Sequence, residues 1–228
     1  MAPKVSPRQI CYLCGVNPGT TRDHLFPRSL FPPPLPGNLP RRLPCCAACQ
    51  TAMSQNEELF RPFLLTGTST EPPTEEQLRL WLELQRPSLR RRPGPRARLR
   101  RMVSPLLIPY GDGDSSNWGR VLVMDREPVN QVLTKIAKGL YYQQAREPLP
   151  SAVRIIVDHE DDPVRLVIPD VMAGLRRIDV GGSPDIVCYW RAVEPNDARC
   201  SMTWVLFYRR KAFRVCCLAN ELSTVEGG

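Results

Sequence analysis

Two Cys-x-x-Cys pairs, Cys11/Cys14 and Cys46/Cys49, constrain this chain more than any other feature of its sequence. Two short knuckles of this kind present four thiolates at the tetrahedral spacing that zinc prefers. Cys45 also stands beside the second pair, but only Cys46 reproduces the two-residue spacing of the first. The gap of about thirty residues between the pairs is longer than a compact zinc ribbon needs, so something is inserted there. The insert carries Asp23-His24, with the only histidine of the N-terminal half, and Asn38. Once a metal closes the loop, these residues are pinned.

A total of nine cysteines suits a reducing compartment if most are thiols or ligands, and the odd number argues against a complete disulfide framework. Cys188, Cys200, Cys216 and Cys217 fall in strand-like sequence and read as small buried apolar residues. No run of about 18 apolar residues marks a membrane span. The opening MAPKVSPRQI lacks the apolar centre of a signal peptide. The expectation is a cytoplasmic protein with no membrane partner.

The net charge of +8 is concentrated in one place. Residues 86–101 (RPSLRRRPGPRARLRR) hold eight arginines and no acid, while the other 23 Lys and Arg equal the 23 Asp and Glu. Clustered arginine binds phosphate backbones without reading sequence. Arg90, Arg91, Arg92, Arg96, Arg98, Arg100 and Arg101 are therefore candidate nucleic-acid contacts. The prolines and glycine in this stretch predict a linker or flexible arm.

The order of elements predicts an α+β chain. A short strand carrying Asp23 and His24, a proline-rich loop and a second strand ending near Pro44 lead to a helix after Cys46, which Pro62 should kink or end. Thr74 and Gln77 form a capping box for a further helix, stopped by Pro87. Beyond the arginines come strand-like runs at 120–124, 153–157, 164–168, 186–193, 203–208 and 213–218. One amphipathic helix over 129–144 turns Val132, Leu133, Ile136, Ala137, Leu140 and Tyr141 inward. The expected organisation is a zinc-bound unit over 1–66, a helix and arginine-rich linker over 67–102, and an antiparallel sheet packed on a helix over 103–228. Asp158-His159-Glu160-Asp161-Asp162 reads as an acidic turn.

The order Cys11/Cys14, Asp23-His24, Pro27, Asn38, Cys46/Cys49 and the acidic helix SQNEELF resembles the zinc-stapled HNH nuclease family over about a quarter of the chain. KIAKGLYY (135–142) also resembles a stretch found in a bacterial branch of that family, without any chemistry attached to it. The resemblance implies a ββα-metal unit in which Asp23 binds a catalytic Mg²⁺ or Mn²⁺, His24 is the general base and Asn38 orients it. A nearly neutral imidazole can take a proton from water attacking phosphorus. The four-cysteine zinc would be structural, its shell closed by protein. One position departs from the family: the second protein ligand, usually Asn or His, is Gln50, whose longer side chain costs more to fix. Glu57, two turns further along the same helix face, reads as a solvated surface acid, with assistance to the ion through water as the alternative.

The implied activity is a metal-dependent HNH-type endonuclease cleaving DNA, with RNA as an alternative substrate and homo-oligomerisation open. The rival is a weakened zinc module that binds nucleic acid or a protein without cutting.

Overall fold

The computed structural model describes residues 9–32, 35–37, 39, 42–66, 78–79, 82, 90–91, 93–109, 118–160, 175–182, 185–209 and 211–219. Its N-terminal unit starts with a tight turn. Gly15 N–H donates to the Cys11 carbonyl at 2.9 Å. Gly15 has φ +68°, a left-handed conformation that costs little only for glycine. Strand β1 (Thr21–His24) then pairs antiparallel with β2 (Arg42–Cys45), placing Asp23 opposite Leu43 and His24 opposite Arg42. Helix α1 (Ala47–Thr66) follows at once, its first turn closed by the Gln50 N–H on the Cys46 carbonyl.

Pro62 lies inside α1, so of the two outcomes expected from sequence, a kink or an end, the end does not occur. Proline sacrifices a backbone hydrogen bond inside a helix. Here Phe60, Phe63 and Leu64, all buried, hold the surrounding turn against the core.

The arginine stretch is also not wholly a linker. Residues Pro93–Met102 form α2. Pro93 and Pro95 lie in its first turn, where a missing N–H breaks no helical bond, and Arg, Leu and Met are good helix formers. Strand β3 (Val103–Pro109) follows and pairs antiparallel with β4 (Trp118–Met124). The sequence marked the second of these but not the first, which carries two prolines.

Helix α3 (Glu127–Ala145) opens with a proline in its first turn and ends where Arg146 turns left-handed at φ 63°. Five strands complete the fold: β5 (Val153–Glu160), β6 (Ile178–Asp179), β7 (Val187–Glu194), β8 (Asp197–Phe207) and β9 (Lys211–Ala219). They form one antiparallel sheet in the order β5-β9-β8-β7-β6. Asp158, His159 and Glu160 belong to β5 rather than to an acidic turn. They pair with Arg214, Phe213 and Ala212 of β9. Arg214 Nη2 lies 2.9 Å from Asp158 Oδ2, and His159 Nε2 lies 2.7 Å from Asn130 Oδ1. Asp161 and Asp162, the strand expected at 164–168 and the capping box at Thr74 lie outside the described residues.

The two halves share a core. One apolar cluster runs from Tyr12, Leu25 and Leu43 through Phe60 and Leu64 to Leu133, Ile136, Phe207 and Phe213. The Phe60 ring meets Phe207 edge-on at 5.2 Å, and Phe207 meets Phe213 at 5.8 Å. Such pairs contribute about 0.5–1.5 kcal/mol each beyond the area they bury. Across the same boundary, Tyr208 OH donates to the Leu30 carbonyl at 3.0 Å. Cys188 and Cys217 are buried as expected, whereas Cys200 and Cys216 are half-buried. Among the described residues, no helix is long and apolar enough to cross a membrane.

Candidate metal centre and adjoining cavity

Cys11, Cys14, Cys46 and Cys49 converge, with all four Sγ atoms within 4.8 Å of one another. A tetrahedral zinc with bonds of about 2.3 Å needs sulfurs roughly 3.8 Å apart. The donor set therefore fits, and these four cysteines can hold a metal ion such as zinc. The local backbone favours thiolate. Burial would raise the Cys14 thiol, but hydrogen bonds from the backbone of Asn17 and Val16 outweigh it and bring it to about 7. The Cys49 N–H donates to Cys46 Sγ at 3.5 Å and lowers that thiol too. Cys49 is pushed up, chiefly by burial. Cys45, whose Sγ is 4.0 Å from Cys11 Sγ, stays outside the set and is pushed up by burial.

Beside this cluster lies a polar cavity of about 260 Å³. Asp23 and His24 reach it from the end of β1, Arg42 from β2, and Gln50 and Glu57 from one face of α1. Arg22, Arg28, Ser29 and Ser54 complete its wall. The cysteine turns and the hairpin they clamp thus bring Asp23, His24 and Gln50 to one place. Asn38 and Arg92 lie outside the described residues.

Asp23 is buried and doubly held through one oxygen. Tyr12 OH donates to Asp23 Oδ2 at 2.7 Å, and Lys135 Nζ stands 2.9 Å from the same atom. Lys135 also pairs with Glu57 Oε1. Its side chain is fully buried, while Asp23 and Glu57 are 11% and 21% exposed. Breaking a buried pair by deleting one partner typically costs about 3–5 kcal/mol, because the other charge is left stranded. Glu57 is therefore not the solvated acid expected from sequence. Burial raises its pKa and the charge of Asp23 adds to that, while Lys135 opposes both.

His24 is shifted the other way. Burial lowers its pKa below 6.5, the positive charges of Arg42 and Arg28 lower it further, and Asp23 works against them. The lowered pKa favours the neutral imidazole, which can accept a proton. The Gln50 amide points Nε2 at the Arg22 carbonyl at a long 3.4 Å. Ser29 Oγ is buried and makes no hydrogen bond within the described chain.

The arginine stretch presents Arg90, Arg91, Arg96 and Arg101 as exposed side chains. Arg90, Arg96 and Arg101 line a second hollow of about 490 Å³ with Pro93 and Ala97. The side chains of Arg98 and Arg100 lie outside the described residues. Among known proteins, no family model matches this chain, and no curated protein or solved structure matches it either.

Sequence reasoning missed Lys135, Tyr12, Arg28 and Arg42. A signal for Lys135 was present. It is a lysine flanked by Val132, Leu133 and Ile136 on the buried side of an amphipathic helix, where an ammonium needs an acid partner.

Proposed function

We propose that this chain is a metal-dependent endonuclease of the HNH type, hydrolysing phosphodiester bonds in DNA. The observation that carries this proposal is the meeting of Asp23, His24 and Gln50 in one cavity whose wall also holds Arg22, Arg28 and Arg42. Support also comes from the element order, a short antiparallel hairpin followed directly by a helix and clamped by four cysteines.

In this scheme the arginines meet the negative charge of the backbone phosphate. Ser29 Oγ offers a hydrogen bond that no described residue uses. His24 takes a proton from water as its oxygen attacks phosphorus, and the P–O bond to the leaving group breaks. Asp23 Oδ1 and the Gln50 amide oxygen would hold a divalent cation. Magnesium suits so sparse a protein donor set because it keeps several waters and uses substrate phosphates as ligands. When bound there, such an ion would supply charge neutralisation for the scissile phosphate and the leaving oxygen. The exposed arginines on and before α2 extend the basic surface, supplying sequence-independent affinity that falls with salt.

The second reading, a zinc module that binds without cleaving, draws on the Gln50 amide being turned toward the Arg22 carbonyl. One experiment separates the two. Supercoiled plasmid with Mg²⁺ or Mn²⁺ is nicked or cut by the native chain, and His24→Ala slows this by about 10²–10⁴-fold. Equal rates in the two proteins would end the nuclease proposal.

A further inference from the structure

The KIAKGLYY segment has a structural explanation. Lys135, Lys138, Gly139 and Tyr142 recur at helical spacing and form one stripe of α3. Every member of the stripe meets the N-terminal unit. Lys138 Nζ donates to the Leu13 carbonyl at 2.8 Å, and the Tyr142 ring meets Tyr12 edge-on at 6.3 Å. A Cβ on Gly139 would stand 3.0 Å from Leu43 Cδ1 and nearer still to Leu25. Seated this way, α3 delivers Lys135 to Asp23 and Glu57.

We propose that Lys135 is a positioning residue of the candidate site, its ammonium holding the Asp23 carboxylate by Oδ2 so that Oδ1 is left for a divalent cation. The proposal rests on the metal-dependent reading above and adds a residue from the C-terminal half to it. Three observations support it. The two donors that reach Asp23 among the described residues, Tyr12 OH and Lys135 Nζ, both converge on Oδ2. Both acids that Lys135 pairs also line the cavity. Finally, a buried ion triad is a poor way to gain stability, since apolar residues of similar volume often do as well or better. The buried residues Val132, Leu133 and Ile136 that flank Lys135 on α3 are apolar, so a methionine or leucine would serve if packing were the only demand.

The test uses the full zinc-loaded chain and Mn²⁺ alone, with free Mn²⁺ read by electron paramagnetic resonance and no DNA present. Lys135→Met is expected to keep its zinc and a cooperative melt, to retain metal-free DNA affinity within about twofold, and to bind Mn²⁺ about 10–100-fold more weakly. Lys135→Gln keeps a hydrogen-bond donor without the charge; it shows the same weakening and carries the test if the methionine variant does not fold. In Lys135→Ala, ethylammonium restores Mn²⁺ affinity, whereas tetramethylammonium, with no N–H to donate, does not. Unchanged Mn²⁺ affinity in the folded variants, or equal rescue by both salts, overturns the role of Lys135. If the native chain cleaves plasmid and Lys135→Met cleaves it equally, the lysine proposal alone fails. If Mn²⁺ binding depends on Lys135 but no cleavage occurs, the nuclease reading alone fails. A native chain that binds no Mn²⁺ defeats both.

Discussion

Tyr12 OH donates a 2.7 Å hydrogen bond to Asp23 Oδ2, so a residue held between Cys11 and Cys14 fixes the acid of the neighbouring cavity. The Tyr12 ring is fully buried, and burial followed by the charge of Asp23 raises its phenol well above the usual range. It remains a donor at every working pH. Tyr12→Phe leaves the shape intact and removes the donor. The expected loss is about 1.5–3 kcal/mol of stability, as for a hydrogen bond to a charged acceptor. The urea midpoint measures it, and an unshifted midpoint would show that Asp23 does not depend on the phenol.

Metal analysis should give about one zinc per chain, lost in Cys11→Ser or Cys49→Ser. Cys45→Ser should keep it, because the Cys45 sulfur, although 4.0 Å from Cys11 Sγ, is not one of the four that gather mutually. Zinc lost from the Cys45 variant and kept by the Cys11 variant would reverse the ligand assignment.

Gly139→Ala should destabilise the chain although alanine is the better helix former. The helix gain is about 1 kcal/mol. Against it, the new methyl group crowds Leu25 and Leu43. Both leucines are buried, and overpacking of this kind costs about 1–3 kcal/mol. A net loss of roughly 1 kcal/mol is expected from thermal or urea unfolding. A gain would show that α3 sits further from the hairpin.

The pH dependence of cleavage tests His24. A general base works when deprotonated, so activity falls as pH drops through its pKa. Burial, then Arg42 and Arg28, lower that pKa, so the acid limb should lie at lower pH than an unperturbed imidazole would set. Arg42→Gln removes one depressing charge, raises the pKa and moves the limb to higher pH. A limb that stays put in this variant would mean that another group sets it.

Local pattern carried much of the site. The paired cysteines announced their cluster because ligand spacing is short-range, and the Asp23-His24 strand and the helix after Cys46 followed from adjacent sequence. Expectations failed where distant packing overrode a local rule. Pro62 sits inside α1 because Phe60 and Phe63 are anchored in the core beside it. Asp158 and His159 extend β5 because Arg214 and Asn130 answer them from β9 and α3. Glu57 looked like a surface acid because its counter-ion lies on α3.

The sequence by itself therefore determined the four cysteines that gather, the α+β class and the acid–imidazole pair, all set by residues close along the chain. Only the tertiary structure decided what surrounds that pair: Lys135 and Tyr12 on one oxygen of Asp23, and Arg28 and Arg42 about His24. The physical reason is that a buried charge must find its partner wherever the chain brings one, and nothing in local periodicity says which turn of which helix will supply it.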